Sequence, residues 1–584
     1  MYIFRCFRLE NCTKTAFYAI SRHFSIKNVH CCAISERHRH PFLYSKKSKC
    51  IVLLILLRTR LLRTSREITG YMTDILYRTD SADRFRELPG ETFKDIALSE
   101  VIGFMASDQE DQGILKDIMT KIPTDISDMK YRQDIVKDLM ANQDLCKAIK
   151  ESISSIKVLR YYGSGQKRLH DRDNSLSSLL EELRELKVWV EVVEKLYTAL
   201  SGSDLRSEGL TGLRDQLKTI SEDEEFKSVK PDIQKIHEDL SAAKGAVVGV
   251  TFTADMDIES VSAIEFVDYK PRSTYTIMDI AVGSKIRNPF NDYKYQDPLL
   301  TAMTPFMKKH LWKHYGEIRH LIRKHSKYDS RILTNLYNGL VFYLSVANMG
   351  RRLESSGYVI SFPEIDFGKA PEVKGLYNIR LAIAGEKEIV KNDFSFTDDE
   401  RIFILTGPNR GGKTILEQGL GLVSVMASLG MFVTADSFTG LPFGKILTHF
   451  PIDENLTINY GRLGEEAVRI KEMVKEADDN TLLLFNESFS TTSSADALYL
   501  AKDLIHILKE KGSYVIFNTH IHELATDIPE MNEWEGRGKI VSIVMEMKDN
   551  KSTFKVKRSE PDTSSYARNI AEKYGITYEQ MKEL

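Results

Sequence analysis

The sequence of 584 residues has almost no cysteine over most of its length. Five of its six cysteines precede residue 72, and Cys146 is the only one in the rest of the chain. A disulfide framework therefore cannot hold the main part of the protein together, which excludes the class of disulfide-stapled secreted proteins.

The chain also lacks an excess of basic charge. Its 81 Lys and Arg residues are balanced by 83 Asp and Glu residues, so the formal net charge is only -2. Any binding to nucleic acid therefore needs local basic patches, because there is no overall basic field.

Residues 1–71 differ in composition from the rest. They hold 14 Lys and Arg, three acidic residues, and one apolar run, "IVLLILL" at 51–57, which is too short to span a bilayer. This basic, Cys-rich extension fits an organelle-targeting presequence, a membrane-surface anchor, or an unstructured or untranslated stretch before a natural start at Met72. We favour the last interpretation and leave 1–71 out of the fold.

The remaining chain is too long for one core and changes pattern near Pro371. Before it, 179–200 and 332–349 have helical periodicity, whereas 245–270 predicts two strands around a turn. After it, strands and helices alternate, which is typical of an α/β nucleotide-binding domain with a largely parallel sheet. The polar stretch 161–175 predicts a loop or hinge.

A phosphate-binding loop is predicted at residues 407–414. The sequence "GPNRGGKT" fits G-x-x-x-x-G-K-T and lies between a predicted strand and a predicted helix. Its glycines let backbone N–H groups turn toward a phosphate, Lys413 adds a cation, and the Thr414 hydroxyl can ligate Mg²⁺. The predicted ATP-binding residues are Gly407, Pro408, Asn409, Arg410, Gly411, Gly412, Lys413 and Thr414.

Two further strands are expected to end in catalytic groups. "TLLLFNES" (481–488) ends in Asn486-Glu487, where a phosphate-handling ATPase usually has Asp-Glu. Asn486 keeps an oxygen for the Mg²⁺ site but no charge, which predicts weaker Mg²⁺ retention, while Glu487 keeps the carboxylate that orients or deprotonates water. "YVIFNTH" places His520 at a third strand tip, where a histidine can sense the γ-phosphate, although a lone histidine is more often structural.

The order of these motifs resembles the ATPase domain of the MutS family of DNA mismatch-repair proteins. The resemblance is strongest over residues 390–576 and weaker over 72–584, where the long helices resemble the family's lever arms. It implies a multidomain fold: a mostly α-helical core and lever region followed by an α/β ABC-like P-loop ATPase domain. The segments expected are 1–71 (extension), 72–160 (helical core), 161–365 (levers with a small β insert), 366–545 (ATPase) and 546–584 (dimerisation).

The resemblance also implies an activity, with ATP and Mg²⁺ as cofactors. A DNA-coupled ATPase is expected, weak because of Asn486, that closes as a dimer, with repair proteins as possible further partners. The family's mismatch-reading domain has no counterpart in this sequence. Its Ser-Thr-Phe segment, which contacts the partner's ATP, is replaced by "GRLGEEAVRIKEM" at 461–473, where Glu465 and Glu466 are the acidic candidates.

Three functions remain open on the sequence. The leading one is a cytoplasmic, ATP-dependent DNA-binding protein that recognises backbone or shape through the basic stretches 158–172 and 306–325. By their charge pattern alone, those stretches are better interpreted as solvated helix faces, and it is the family resemblance that favours DNA binding. The second is a nucleotide-gated clamp with little hydrolysis. The third is a membrane-associated ATPase anchored through 1–71.

Overall fold

A six-stranded sheet with helices on both faces carries the phosphate loop. The computed structural model describes residues 75–78, 85–163, 176–240, 245–255, 258–267, 315–325, 330–366, 368–451, 462–548, 551–560 and 577–582. The predicted loop at 161–175 lies outside these residues except for 161–163. Those three are the last turn of a helix, so the predicted break begins too early.

The named helices and strands alternate much as the sequence pattern predicts. The helices are α1 (Gly90–Asp95), α2 (Leu98–Met105), α3 (Gln109–Met119), α4 (Ile126–Ala141), α5 (Gln143–Gly163), α6 (Leu176–Ser201), α7 (Glu208–Glu222), α8 (Glu224–Leu240), α9 (Ser330–Ser355), α10 (Ile379–Ile383), α11 (Lys413–Ser428), α12 (Arg462–Glu476), α13 (Ser494–Lys511), α14 (His522–Thr526), α15 (Ile528–Asn532) and α16 (Tyr578–Lys582). The strands are β1 (Phe85–Glu87), β2 (Lys121–Pro123), β3 (Gly245–Phe252), β4 (Ile258–Val267), β5 (Glu372–Leu376), β6 (Asn392–Ser395), β7 (Glu400–Thr406), β8 (Ser437–Thr439), β9 (Lys445–His449), β10 (Thr481–Asn486), β11 (Tyr514–Asn518), β12 (Lys539–Lys548) and β13 (Lys551–Arg558).

The main sheet is parallel except at one edge. Its strand order is β13-β12-β7-β11-β10-β9, and only the β12–β13 pair is antiparallel. The carboxyl ends of β7, β10 and β11 therefore lie at one edge of the sheet, which is where ligands bind in open α/β folds. The predicted largely parallel sheet is confirmed.

Side chains of the main sheet alternate between two hydrophobic cores. Phe403, Leu484 and Ile516 pack on the side of α11 and the N-terminal helices, whereas Ile404 and Phe485 pack on the side of α12 and α13. This period of two is the expected geometry of a strand buried on both faces. Burying each such side chain stabilises the fold by about 1.5–3 kcal/mol.

Local signals set the ends of α13, which covers one face of the sheet. Ser493 caps its start, where the side-chain oxygen accepts a hydrogen bond from the backbone N–H of Asp496 at 3.2 Å. Gly512 ends it with a φ of 70°, a left-handed conformation that glycine adopts without steric cost. The polypeptide then enters β11 at Tyr514.

The predicted strand pair at 245–270 is confirmed as an antiparallel hairpin of β3 and β4. The helix predicted at 179–200 is α6, and that at 332–349 is the largely buried α9. Of the basic stretch 306–325, the structure describes 315–325, of which 315–324 is helical.

The helices and the main sheet within residues 71–584 form one compact unit. One hydrophobic core runs from Ile75 through Leu179 and Val373 to Met545, across the predicted boundaries near 160 and 365. Those boundaries, and the one at 545, stay predictions. The described helices include none that combines the length and apolar character needed to span a bilayer.

Candidate nucleotide-binding site

The predicted phosphate loop connects β7 to α11, as the motif requires. Gly407 has a φ of 143° and Gly412 a φ of 95°, both in the region that favours glycine. A Cβ on Gly407 would come within 3.0 Å of the Met545 side chain, and one on Gly412 within 3.0 Å of the Phe554 ring. These two glycines are thus required by close packing as well as by backbone conformation.

Lys413 lies at the first position of α11 and folds back over the loop. Its Nζ donates to the carbonyl oxygens of Gly407 and Pro408, at 3.0 and 3.2 Å. Burial lowers the pKa of Lys413, and the carboxyl groups of Glu487 and Glu417 partly oppose that shift. A buried ammonium held by two neutral carbonyls is poised to exchange them for an anion.

Asn486 and Thr414 meet where the Mg²⁺ site is predicted. The Thr414 hydroxyl donates to Oδ1 of Asn486 at 3.3 Å, and Asn486 is 6% exposed. A hydroxyl that donates its only proton keeps its lone pairs for a cation. Among the described residues, no three His, Cys, Asp or Glu side chains cluster as a metal site. The oxygen donors here are instead a hydroxyl and an amide.

Glu487 and His520 form a direct pair at the same edge of the sheet. Nε2 of His520 lies 2.7 Å from Oε1 of Glu487, and both side chains are over one-third exposed. The hydrogen bond from His520 is the main reason that the pKa of Glu487 is lowered, with burial opposing it. The two predicted catalytic residues are therefore brought together, and Glu487 is an ionised acceptor at neutral pH.

An apolar cavity of about 310 Å³ adjoins the phosphate loop. It was not predicted from the sequence, because its lining comes from segments far apart in the chain. Its lining includes apolar side chains that suit a ring-shaped ligand, namely Leu381, Ile389, Val390, Ile415 and Phe554.

Asn392 and Asp393, the first two residues of β6, help to build this cavity. Asn392 accepts a hydrogen bond from the backbone of Val556 at 2.8 Å and donates to the carbonyl of Phe554 at 3.0 Å. Asp393 accepts one from the backbone N–H of Gly375 at 2.8 Å. These bonds join β6 to β13 and β5, so the Phe554 ring is held beside Gly412.

Two buried polar residues at the site were missed by sequence reasoning. Glu417 and Asn518 are both 0% exposed, and Nδ2 of Asn518 donates to Glu417 at 3.0 Å and to Asn486 at 2.6 Å. Burial raises the pKa of Glu417 well above its ordinary value. The available signal was a lone glutamate in the apolar run of α11, which by itself has many structural explanations.

The segment expected to contact a partner's nucleotide begins outside the described residues and continues as α12. Oε2 of Glu466 accepts from the backbone N–H of Phe489 at 3.2 Å, which ties α12 to the turn after β10. Farther along α12, Arg469 donates to Oδ2 of Asp95 in α1 at 2.5 Å. This helix therefore contacts both the turn that follows β10 and the N-terminal helix α1.

The two basic stretches predicted to contact DNA lie mostly outside the described residues. Within 315–325, Lys324 pairs with Asp232 at 2.6 Å, so its charge is partly neutralised. Both stretches stay predictions.

Comparisons with known proteins match both the helical and the sheet-bearing parts of the chain. A family model described as MutS domain V matches residues 403–583, which include the phosphate loop, Asn486, Glu487 and His520. A second, described as the MutS2 N-terminal domain, matches residues 124–262.

Curated relatives agree with these matches. The DNA mismatch repair protein MutS of Streptococcus pyogenes serotype M5 (strain Manfredo) is 29% identical over 211 residues, 36% of this chain and 24% of that protein. The MutS protein of serotype M49 (strain NZ131) gives the same values. The matched part spans about a quarter of the length of these relatives. On the two family matches and these relatives together, the chain belongs to the MutS family.

Proposed function

We propose that this chain is an ATP-hydrolysing, DNA-binding protein of the MutS type, acting in mismatch repair or a related DNA transaction. The observation that carries the proposal is the meeting of three elements at one sheet edge. These are the phosphate loop, the Thr414–Asn486 contact and the Glu487–His520 pair. The curated relatives named as DNA mismatch repair proteins support the choice of pathway.

The phosphates of ATP would lie on residues 407–414, with Lys413 released from its two carbonyl partners. The base would enter the apolar cavity beside Phe554 and Ile389. The volume of this cavity suits a single ring system with part of a ribose. The positive end of α11 would add to phosphate binding.

The residues present fit Mg²⁺. Its preferred ligands are oxygens, and Thr414 and Asn486 offer a hydroxyl and an amide oxygen at the end of the loop. When bound, Mg²⁺ would neutralise the negative charge that develops on the phosphates during transfer. Because Asn486 is neutral, we expect this site to hold Mg²⁺ more weakly than one with an aspartate.

Glu487 would orient the attacking water and accept its proton. The lowered pKa keeps this carboxylate ionised at neutral pH, as a general base requires. His520 would sense the γ-phosphate by exchanging its contact with Glu487 for one with a phosphate oxygen. Hydrolysis would then change the hydrogen-bond partners at the tip of β11.

Two copies of the chain would close around the nucleotides, and the helices would carry that closure to DNA. Family membership and the position of α12 support this proposed closure. Helix α12 contacts the turn after β10 through Glu466, and it contacts helix α1 through Arg469. DNA would be bound through its backbone or shape, and other repair proteins are possible further partners.

The test is steady-state ATP turnover with no DNA and with duplex, mismatched or branched DNA, at two salt concentrations. We expect at least one DNA to change turnover, and the effect to shrink at the higher salt, because phosphate contacts release counterions. Equal rates under all conditions would contradict the DNA-coupled function.

A second candidate function is a nucleotide-gated clamp with little hydrolysis. The neutral Asn486 at the metal site favours it. Substituting Asn486→Asp separates the two candidates: a large gain in turnover would support the clamp, whereas an unchanged rate would support a native ATPase. The affinity for ATP should be measured in parallel.

A further inference from the structure

A buried polar chain links α11 to the ends of β10 and β11. Asn518 donates both hydrogens of its amide group, one to Oε2 of Glu417 at 3.0 Å and one to Oδ1 of Asn486 at 2.6 Å. The same Asn486 oxygen accepts the proton of the Thr414 hydroxyl at 3.3 Å. Four side chains are thus connected by three hydrogen bonds, from Glu417 to Thr414 at the end of the phosphate loop.

The orientation of the Asn486 side-chain amide matters because its oxygen accepts hydrogen bonds, whereas its NH₂ group donates them. An aspartate offers an oxygen whichever way its carboxylate turns, whereas Asn486 offers either a carbonyl oxygen or an NH₂ group. An NH₂ group facing Thr414 could not accept the hydroxyl proton, and it could not ligate a cation. Asn486 can therefore serve a Mg²⁺ site only if its amide is held in one orientation.

Glu417 is the residue that fixes this orientation. Its carboxyl group presents an acceptor oxygen to Asn518, which requires the NH₂ end of Asn518 to face Glu417 and Asn486. A glutamine at 417 could instead donate to Oδ1 of Asn518 and allow both asparagine amides to turn over. This requirement on Asn518 holds for the carboxylate, whose oxygens only accept, and for a neutral carboxyl group whose proton lies on Oε1, the oxygen without a partner among the described residues.

The arrangement is costly, which argues against a packing role. Oε1 of Glu417 and Oδ1 of Asn518 have no hydrogen-bond partner within the described part of the chain. Each such oxygen destabilises the fold, because it gives up its hydrogen bonds to water and gains none in the protein. An apolar side chain at 417 would fill the same space, beside Leu416 and Leu420, without that cost.

We propose that Glu417 is a positioning residue for the magnesium site. Through Asn518, it keeps the carbonyl oxygen of Asn486 turned toward Thr414, so that an asparagine can work where a carboxylate is usual. This inference rests on the proposed function, since it concerns how the same site holds Mg²⁺.

The experiment compares Glu417→Gln in two backgrounds, with Asn486 and with Asn486→Asp. The readout is the equilibrium affinity of the full-length chain for a fluorescent ATP analogue, titrated with MgCl₂ or measured in EDTA. With Asn486 present, Glu417→Gln should lower the apparent Mg²⁺ affinity about 10- to 100-fold, the usual effect of removing a residue that orients a metal ligand. In the Asn486→Asp background the loss of Mg²⁺ affinity should be less than about threefold, because either oxygen of a carboxylate can accept a hydrogen bond or ligate a cation.

Glu354→Gln on the exposed surface of α9 is the matched control, and thermal unfolding reports whether each variant is folded. If Glu417→Gln does not fold, Asn518→Ala is tested in both backgrounds instead, because it removes the hydrogen bonds that connect Glu417 to Asn486. Equal losses with Asn486 and with Asp at 486 would overturn the inference and leave the proposed function standing. A wild-type protein that binds no ATP at any Mg²⁺ concentration would overturn the proposed function itself, and this inference with it.

Discussion

At the scale of single residues, Glu487 stands out because its backbone is left-handed. Its φ of 52° is unusual for a residue with a side chain, and Phe489, two residues later, has a φ of 64°. The backbone N–H of Glu487 donates to the carbonyl of Asn518 at 2.9 Å, which holds this conformation. The turn directs the carboxylate toward His520, so a local backbone cost serves to place the Glu487 carboxylate beside the imidazole.

Substituting Glu487→Gln should separate ATP binding from turnover. The amide keeps the size of the side chain but cannot take a proton from water, so turnover should fall by about 10²–10⁴-fold. ATP affinity should change by less than about threefold, because the phosphate loop is intact. Steady-state turnover and equilibrium binding of ATP measure the two effects.

The control for this prediction is again Glu354→Gln, which should match the wild-type protein in both measurements. Turnover that survives Glu487→Gln would show that another group activates the water.

A second prediction concerns pH and the buried His449. Burial lowers its pKa to about 4, Arg469 adds to the shift, and its Nδ1 shares a hydrogen bond with Ser488 at 2.7 Å. Because the folded pKa is below the unfolded value of about 6.5, His449 stabilises the fold fully above pH 6.5. That contribution is lost as the pH falls through 6.5 toward 4, and amounts to about 2 kcal/mol lost at pH 5.

Thermal or denaturant unfolding of the wild-type protein and of His449→Gln, from pH 7.5 to 5, measures this loss. The wild-type protein should lose more stability than the variant over that range, since both share the titration of all other groups. Parallel curves for the two proteins would contradict the assignment.

Residue types in a known spacing could be predicted from the sequence, whereas contacts between distant segments could not. The loop 407–414, Asn486, Glu487 and His520 were found because motif order and strand ends place them at one sheet edge. Glu417 and Asn518 were missed because an isolated polar residue in an apolar helix or strand does not indicate its partner. The cavity beside Phe554 was missed because β13 and β6 meet only through the fold.

At the scale of elements, α12 is joined to the N-terminal helices through Asp95. One oxygen of that side chain accepts from the Thr448 hydroxyl, the backbone N–H of Phe450 and the Arg469 guanidinium. Burial raises the pKa of Asp95, and Arg469 is the strongest influence that opposes the shift. α1, β9 and α12 therefore share one partly buried polar junction.

Substituting Asp95→Ala should destabilise the protein by roughly 2–4 kcal/mol, because three donors lose their acceptor in a site with little water access. Denaturant unfolding measures the change. Adding Arg469→Met to this variant should cost less than the sum of the single substitutions, since the unpaired guanidinium is removed as well.

Asp134→Ala on the exposed side of α4, where the carboxylate pairs with Lys137 at 3.5 Å, is the matched control and should cost less than about 1 kcal/mol. Strict additivity of the Asp95 and Arg469 effects would show that the junction does not act as a unit.

The alternation of strands and helices after Pro371 was predictable because buried parallel strands and amphipathic helices have distinct periods. The order of strands in the sheet was not, because β7 pairs with β11 and β12 across more than a hundred residues. The predicted loop at 161–175 begins too early because residues such as Tyr161 and Gly163 permit a loop but do not require one.

At the scale of the whole molecule, the proposed function requires two chains. We expect the Glu487→Gln protein with ATP and Mg²⁺ to sediment at twice the mass of a single chain, because ATP is bound but not consumed. Lys413→Ala, which removes the cation of the phosphate loop, should remain at the mass of the protein without nucleotide. Identical masses for both variants would contradict nucleotide-driven pairing.

The hydrophobic core that joins the N-terminal helices to one face of the sheet has a consequence for how the protein can be taken apart. Leu405 and Leu484 of the sheet belong to the same core as Leu139 and Phe342 of the helices. A recombinant fragment starting near residue 366 would leave that face of β7 and β10 open to solvent, and we expect it to aggregate rather than fold by itself. We therefore expect the candidate nucleotide site and the helices to fold and unfold as one unit.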